Sequence, residues 1–211
     1  MNRFAIAIFA TLAGTSQVHA GGASPDPMPT SESIRFGADT EFSQFQAVSS
    51  AVYTFAHALD TRDWPLMRTV FADEISVDTS GAGRGHAGNV VKAESFIWDV
   101  KISETGFEGT LLLFGNPQVA VEGDVAYFRA AFYGEHTAAV ADGENFYTIG
   151  GYQDWRLRRI GGHWKIDGFR LRPTWSKGNR DIMRVGVERG AQRLEERGDP
   201  PPAGLREKFR W

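Results

Sequence analysis

Two titratable side chains stand in residue patterns that could set them to move protons. The first is Asp60. It follows an apolar period, Phe45, Val48, Val52, Phe55 and Leu59, whose three- and four-residue steps predict an amphipathic helix. On ideal helix angles Asp60 lies off the Phe55 stripe, as a solvated carboxylate clustered with Arg62 and Asp63. A helix that stops at Leu59 would instead let Asp60 turn back over a cavity, and both placements stay open. The second is His136. The run from Ala126 to His136 alternates, which puts Phe128, Ala130, Phe132, Gly134 and His136 on one face of a strand. A histidine on that apolar face loses hydration, so its pKa falls and it suits proton transfer. A buried, hydrogen-bonded structural histidine is the alternative. His57 falls with Tyr53 on the polar side of the first helix and reads as a surface residue.

Other chemistries find little support. Gly83-Arg-Gly-His-Ala-Gly88 fits G-x-G-x-x-G, but a dinucleotide site needs that turn inside a parallel β-α-β unit. The strands that follow read as antiparallel, so the segment reads as a flexible loop or pocket lid. His57, His86, His136 and His163 show no H-x-x-x-H spacing, and the chain has no cysteine. No metal site is therefore expected. No G-x-S-x-G elbow is present for a serine nucleophile.

The elements that must position Asp60 and His136 follow from the rest of the chain. Its 211 residues allow one domain with tails. With 23 basic against 26 acidic residues the net charge is −3, which argues against a dedicated nucleic-acid binder. Met1-Asn-Arg3, the apolar run Phe4 to Gly14 and Val18-His19-Ala20 form a signal-peptide pattern, giving a chain that begins at Gly21 after export to the periplasm or medium. No stretch is long enough to span a membrane. Residues 21–39, rich in Gly, Pro and Ser, read as a disordered linker. Residues 40–179 read as the domain. Pro65 opens a short second helix, Ile75 to Thr79 a strand, and Val90 to Val100 a third helix. The rest is a strand meander with turns at Gly123, Asp142-Gly143 and Gly161-Gly162, so the class is α+β. Residues 180–211 read as a helical or irregular tail, dispensable for the core because it has few apolar residues and ends in Pro200-Pro-Pro202.

Several short pieces occur in one order: Ala58-Leu59-Asp60 with Asp63-Trp64, Val77-Asp78, Gly115-Asn116-Pro117, Glu122-Gly-Asp124-Val-Ala126, Glu135-His136, Gly150-Gly-Tyr152, and Trp175 with Gly178-Asn179. Over residues 42–179 this order resembles the SnoaL-like branch of the NTF2-like superfamily. The resemblance implies a cone-shaped barrel, with three helices on a strongly curved, mostly antiparallel sheet around a pocket. Relatives include polyketide cyclases, scytalone dehydratase, bile-acid dehydratase and ketosteroid isomerase. They bind hydrophobic ligands and transfer protons with pocket carboxylates and histidines, without a cofactor.

The resemblance assigns catalysis to Asp60 as base and His136 as its acid–base partner. It assigns the substrate wall to Phe55, Leu112, Asn116, Phe128, Phe132, Tyr152, Trp155 and Trp175. Two positions depart from it: Phe55 stands where dehydratase-like members often carry tyrosine, and Leu112 where they often carry histidine. Two functions follow. One is a cofactor-free lyase or isomerase acting on a small apolar or polycyclic molecule; the other is a secreted binding protein that kept the pocket without the chemistry. A homodimer through the open face of the sheet is compatible with either.

Overall fold

A computed structural model describes residues 25–30, 32–36, 40–82, 88–199 and 201. The signal-peptide pattern and Gly83 to Ala87 of the glycine-rich loop lie outside the described residues. Helices α1 (Phe42–Thr61) and α2 (Trp64–Thr69) lead into strand β1 (Phe71–Asp78). Strand β2 (Asn89–Lys92) and helix α3 (Ala93–Gly106) follow. Strands β3 (Gly109–Glu122), β4 (Val125–Thr137), β5 (Phe146–Ile160) and β6 (His163–Gly178) form the meander, and helix α4 (Ile182–Glu196) closes the described chain. No helix among the described residues is long and apolar enough to cross a membrane.

The six strands make one sheet in the order β2-β1-β6-β5-β4-β3. Only β1 and β6 pair in parallel; every other neighbour is antiparallel. β2 and β3 remain as free edges, so the expected cone is an open sheet rather than a closed barrel. Gly161 and Gly162, at φ 58° and 80°, make the two-residue turn between β5 and β6. Two successive left-handed residues match the twist of the strands they join, and glycine adopts them without a Cβ penalty.

The apolar period of α1 packs into the sheet as its spacing predicts. Val48, Val52, Phe55 and Leu59 are buried, while His57 and Tyr53 face outward. An aromatic stack continues that packing. Phe55 meets Trp155 at 4.8 Å between ring centroids, and Trp155 meets Phe169 at 4.4 Å. Phe169 in turn meets Phe96 of α3 at 6.0 Å. In β4 burial alternates along the whole strand, with Phe128, Ala130, Phe132, Gly134 and His136 inward.

Three expectations about the chain need correction. The helix expected at Val90 to Val100 begins later and runs on to Gly106, because residues 89–92 pair with β1 as an edge strand. Residues 25–30 and 32–36, expected to be disordered, lie against the outer face of the sheet. Arg156 donates to Asp26 O at 2.7 Å, and Arg170 donates to Pro29 O at 2.7 Å and Met28 O at 3.0 Å. Met28 and Ile34 are buried, and the Arg129 guanidinium lies 4.6 Å from the Phe36 ring centroid. Composition misses this strap because guanidinium groups on another part of the chain satisfy its backbone carbonyls.

The third correction concerns residues after 179. The described residues hold four α-helices rather than three, and α4 belongs to the core. Ile182 and Met183 are fully buried in the main apolar cluster, and Leu194 packs on Trp98 and Ile102 of α3. The two helices touch through glycines. A Cβ on Gly106 would lie 1.7 Å from Gly186 O, and one on Gly190 would lie 1.6 Å from Ile102 O. Arg193 donates to Thr105 O at 2.7 Å, and Lys101 pairs with Asp199. Few large apolar residues are needed where backbones approach this closely, which is why the tail looked weak in composition.

Candidate functional site

The ends of α1 and α3 meet at one edge of the sheet. Helix α1 stops at Thr61 because Arg62 takes the left-handed conformation, φ 59° and ψ 31°. A non-glycine residue there costs about 1–2 kcal/mol, and the guanidinium bonds formed offset it. Arg62 donates to Asp60 O at 3.0 Å and to Glu104 O at 3.2 Å. One cation thus holds carbonyls at the C-terminal ends of two helices, where the helix dipoles favour positive charge. Asp63 then accepts from Leu66 N at 2.9 Å and starts α2.

Asp60 is half-buried in the last turn of α1, and its Oδ2 accepts from the Leu112 N–H at 3.0 Å. Its Oδ1 is buried without a partner. Burial raises the Asp60 pKa; the Leu112 N–H, the nearby Thr110 hydroxyl and Arg62 oppose that rise. Thr110 Oγ1 lies close enough to favour the charged carboxylate yet makes no hydrogen bond of good geometry, and it too is buried without a partner. Leu112 therefore meets Asp60 through its backbone, where a side chain had been expected to matter.

A cavity of about 50 Å³ opens beside this contact. Phe55, Leu59, Leu112, Phe132, Ile149 and Met183 give it apolar walls, and Glu104, Thr110, His136 and Gln153 bring polar atoms to it. Asp60 is not itself part of the wall, although Leu59, Thr110 and Leu112 around it are. An apolar cavity of roughly 150 Å³ is needed to take benzene, so a polycyclic ligand does not fit this conformation.

His136 is 4% exposed and stacks on the Phe107 ring at 4.8 Å between centroids. Its Nε2 lies 3.8 Å from Glu104 Oε1, beyond hydrogen-bond reach, and its Nδ1 has no partner of good geometry. Burial lowers the His136 pKa to about 4, with the Tyr147 carbonyl and Glu135 opposing. Glu104 is fully buried, and burial raises its pKa to about 8; Arg62 lowers it and Asp60 raises it. Near neutral pH the imidazole is uncharged and the Glu104 carboxyl carries its proton.

Of the predicted wall, the structure brings Phe55, Leu112 and Phe132 to the cavity. Phe128 and Trp155 are fully buried in the aromatic stack and do not line it. Asn116, Tyr152 and Trp175 are corrections. Asn116 is exposed at the β3 irregularity between Gly115 and Gln118, with φ 51°. Tyr152 pairs with Ala131, and Trp175 with Gly150 opposite Tyr133; these are outward positions of β4 and its partners. Tyr152 is outward by plain alternation with the inward Trp155, whereas an extra residue in β6 opposite Gly150/Gly151 turns Trp175 outward, which sequence alternation does not show.

Glu104 is the residue that reading the sequence missed. Its signal was present: with Ala93, Ile97 and Val100 it continues one buried helical stripe, so a carboxyl falls where an apolar residue belongs.

The signs of the two large pKa shifts predict a pH profile of stability. Glu104 holds its proton more tightly when folded. It therefore favours folding below its ordinary 4.5, and this is lost as pH rises toward about 8. His136 favours folding above its ordinary 6.5, and this is lost as pH falls toward about 4. Between 4.5 and 6.5 the two slopes oppose each other, and above 6.5 that of Glu104 remains. Urea midpoints should fall from pH 6.5 to 8 in the wild type and stay level in Glu104→Gln. Asp60 shifts in the Glu104 direction, and the comparison with the glutamine variant removes its contribution. An equal alkaline fall in both proteins would rule out the buried acid.

The fold and site define an α+β domain in which helices cover one face of an open sheet and deliver acidic side chains to a small apolar cavity. The SnoaL-like domain family matches residues 41–170, and the chain belongs to that family. Solved structures agree on the fold. Kfla4162 from Kribbella flavida is 18% identical, with a TM-score of 0.63 over 67% of this chain and 97% of that one. A candidate scytalone dehydratase from Novosphingobium aromaticivorans is 17% identical, with a TM-score of 0.56 over 68% of this chain and 92% of that one. The hexachlorocyclohexane dehydrochlorinase LinA-type3 from Novosphingobium barchaimii is 12% identical, with a TM-score of 0.54 over 65% and 90%. A search of the curated proteins finds no match.

Proposed function

We propose that this is an exported, cofactor-free lyase or isomerase that moves protons on a small, largely apolar molecule bearing oxygen. One observation supports it most. Among the described residues Glu104 Oε2, Thr110 Oγ1, His136 Nδ1 and Gln153 Oε1 are buried without a well-formed hydrogen bond, and all four residues border one apolar cavity. Unsatisfied buried polar atoms are costly, about 1–3 kcal/mol each, and a polar ligand would satisfy them. Structural neighbours that include a candidate scytalone dehydratase and a dehydrochlorinase fit the same reaction type. In this reading Asp60 Oδ1, which lies behind Leu59, Thr110 and Leu112 of the wall, is the base once a bound substrate parts these residues. His136, neutral at working pH, gives or accepts a hydrogen bond at the substrate. At about 50 Å³ the cavity must widen for any organic substrate, and a small one requires the least widening.

The experiment is elimination from 4-hydroxybutan-2-one, a small β-hydroxy ketone, followed as formation of the conjugated enone. Acceleration by the wild type supports the lyase reading. Binding of the probe with no acceleration would favour the secreted binding protein.

Away from the strap, the outer face of the sheet carries apolar side chains that no described residue covers. Leu111, Leu113, Tyr152 and Trp175 are each about half exposed there, and Tyr133 packs on Trp175 at 6.2 Å. Glu135 and Lys177 flank the patch with opposite charges on the same strand row. A self-complementary rim of this kind suits a two-fold contact, and we propose that a second copy covers it. Native mass spectrometry of protein recovered after export tests both points: a dimer of chains that begin at Gly21 is expected. A monomer, or a retained Met1, would each remove the corresponding half of the proposal.

A further inference from the structure

Elimination of water needs an acid, and neither residue assigned from the sequence supplies one at neutral pH. Asp60 is the base, and His136 is buried where protonation is unfavourable. We propose that Glu104, delivered from α3, is the catalytic acid of this site and protonates the oxygen that leaves the substrate. This rests on the reading above and adds a residue to it.

Four observations carry it. Glu104 borders the cavity and is fully buried. Among the described residues its Oε2 has no hydrogen-bond partner, and its Oε1 accepts from the Ser103 hydroxyl at 3.4 Å, which donates more closely to Val100 O at 3.0 Å. Its backbone is fixed from two sides: Arg62 binds Glu104 O, and the glycine contacts of α4 clamp the last turns of α3. His136 Nε2 stands 3.8 Å from Oε1, so the carboxyl and the neutral imidazole face each other beside the cavity. The ionisable groups around it are Asp60 and Arg62 from α1, Glu135 and the neutral His136 from β4, and Arg193 from α4, which is bound to Thr105 O. A carboxyl kept protonated in an apolar site can donate at pH 7.

The step balances without a cofactor. Asp60 Oδ1 takes the proton from the carbon beside the carbonyl, and that C–H pair becomes the new C=C bond. The C–O bond to the hydroxyl breaks with its electrons on oxygen, and oxygen takes the Glu104 proton and leaves as water. Asp60 is then protonated and Glu104 ionised. One proton passed back between these electrostatically coupled carboxyls, through the released water, restores both.

A hydroxyl must be protonated as it leaves, whereas chloride leaves unaided. The test therefore compares 4-hydroxybutan-2-one with 4-chlorobutan-2-one on wild type and Glu104→Gln, a variant that keeps side-chain shape. The variant should lose roughly 10²–10⁴-fold on the hydroxy ketone and less than about tenfold on the chloro ketone. Infrared difference spectra at pH 7 should show a protonated carboxyl C=O band that disappears in the variant. Equal losses on both substrates would make Glu104 structural and overturn the inference, as would absence of that band. Wild type inert on both substrates would instead overturn the lyase reading, while the infrared result still reports on Glu104.

Discussion

Asp60→Asn should slow turnover of 4-hydroxybutan-2-one by roughly 10²–10⁴-fold, the usual size of a general-base contribution. That corresponds to about 3–5 kcal/mol of barrier. Asparagine keeps the shape and can still accept from the Leu112 N–H through its carbonyl oxygen, so the contact that ends α1 beside β3 survives. What it lacks is a lone pair basic enough to take a proton. Folding stability should therefore change little, and urea unfolding of the variant separates the two effects. His136→Ala should also slow turnover, and in addition it opens space against Phe107, so part of its effect will be on stability. If the protein only binds, Asp60→Asn should retain the probe, with affinity altered by about 1–2 kcal/mol through a lost hydrogen bond. Unchanged turnover in Asp60→Asn would remove Asp60 from the reaction.

Truncation after Asn179 should abolish the folded state. Ile182, Met183 and Leu194 are almost completely buried. Each such side chain contributes about 1.5–3 kcal/mol, together roughly half or more of a typical total stability of about 5–15 kcal/mol. The loss reaches the site as well, because Met183 forms part of the cavity wall and α4 backs the turn of α3 that carries Glu104. Soluble yield and circular dichroism of the truncated chain give the answer. Gly106→Ala is the milder companion. Its Cβ would collide with the Gly186 carbonyl, and forcing two packed helices apart costs about 1–3 kcal/mol or more. A truncated chain that folds and melts like the full one would return α4 to the status of a dispensable tail.

The sequence by itself determined the elements whose burial is periodic. The three- and four-residue steps from Phe45 to Leu59 place α1 on the core, and the alternation from Ala126 places His136 inward, because each element buries one face of fixed period. The family pattern around Asp60 and Glu135-His136 was equally visible, and family membership follows.

Tertiary structure alone decided what depends on contacts between distant segments. Asp60 became half-buried because Arg62 turns the chain and the β3 backbone meets its carboxylate, 52 residues away in sequence. Trp175 went to the outer face because one extra residue in β6 opposite Gly150/Gly151 changed which side chains point inward. Residues 25–30 and 32–36 became a strap because Arg156 and Arg170 bind backbone carbonyls in it, and α4 became core because glycines let two backbones touch. Glu104 lies between these cases. Its place on a buried helical stripe is written in the sequence, but its approach to His136 and the cavity exists only once α3, β4 and α4 are packed together, and its retained proton follows from the water those elements exclude.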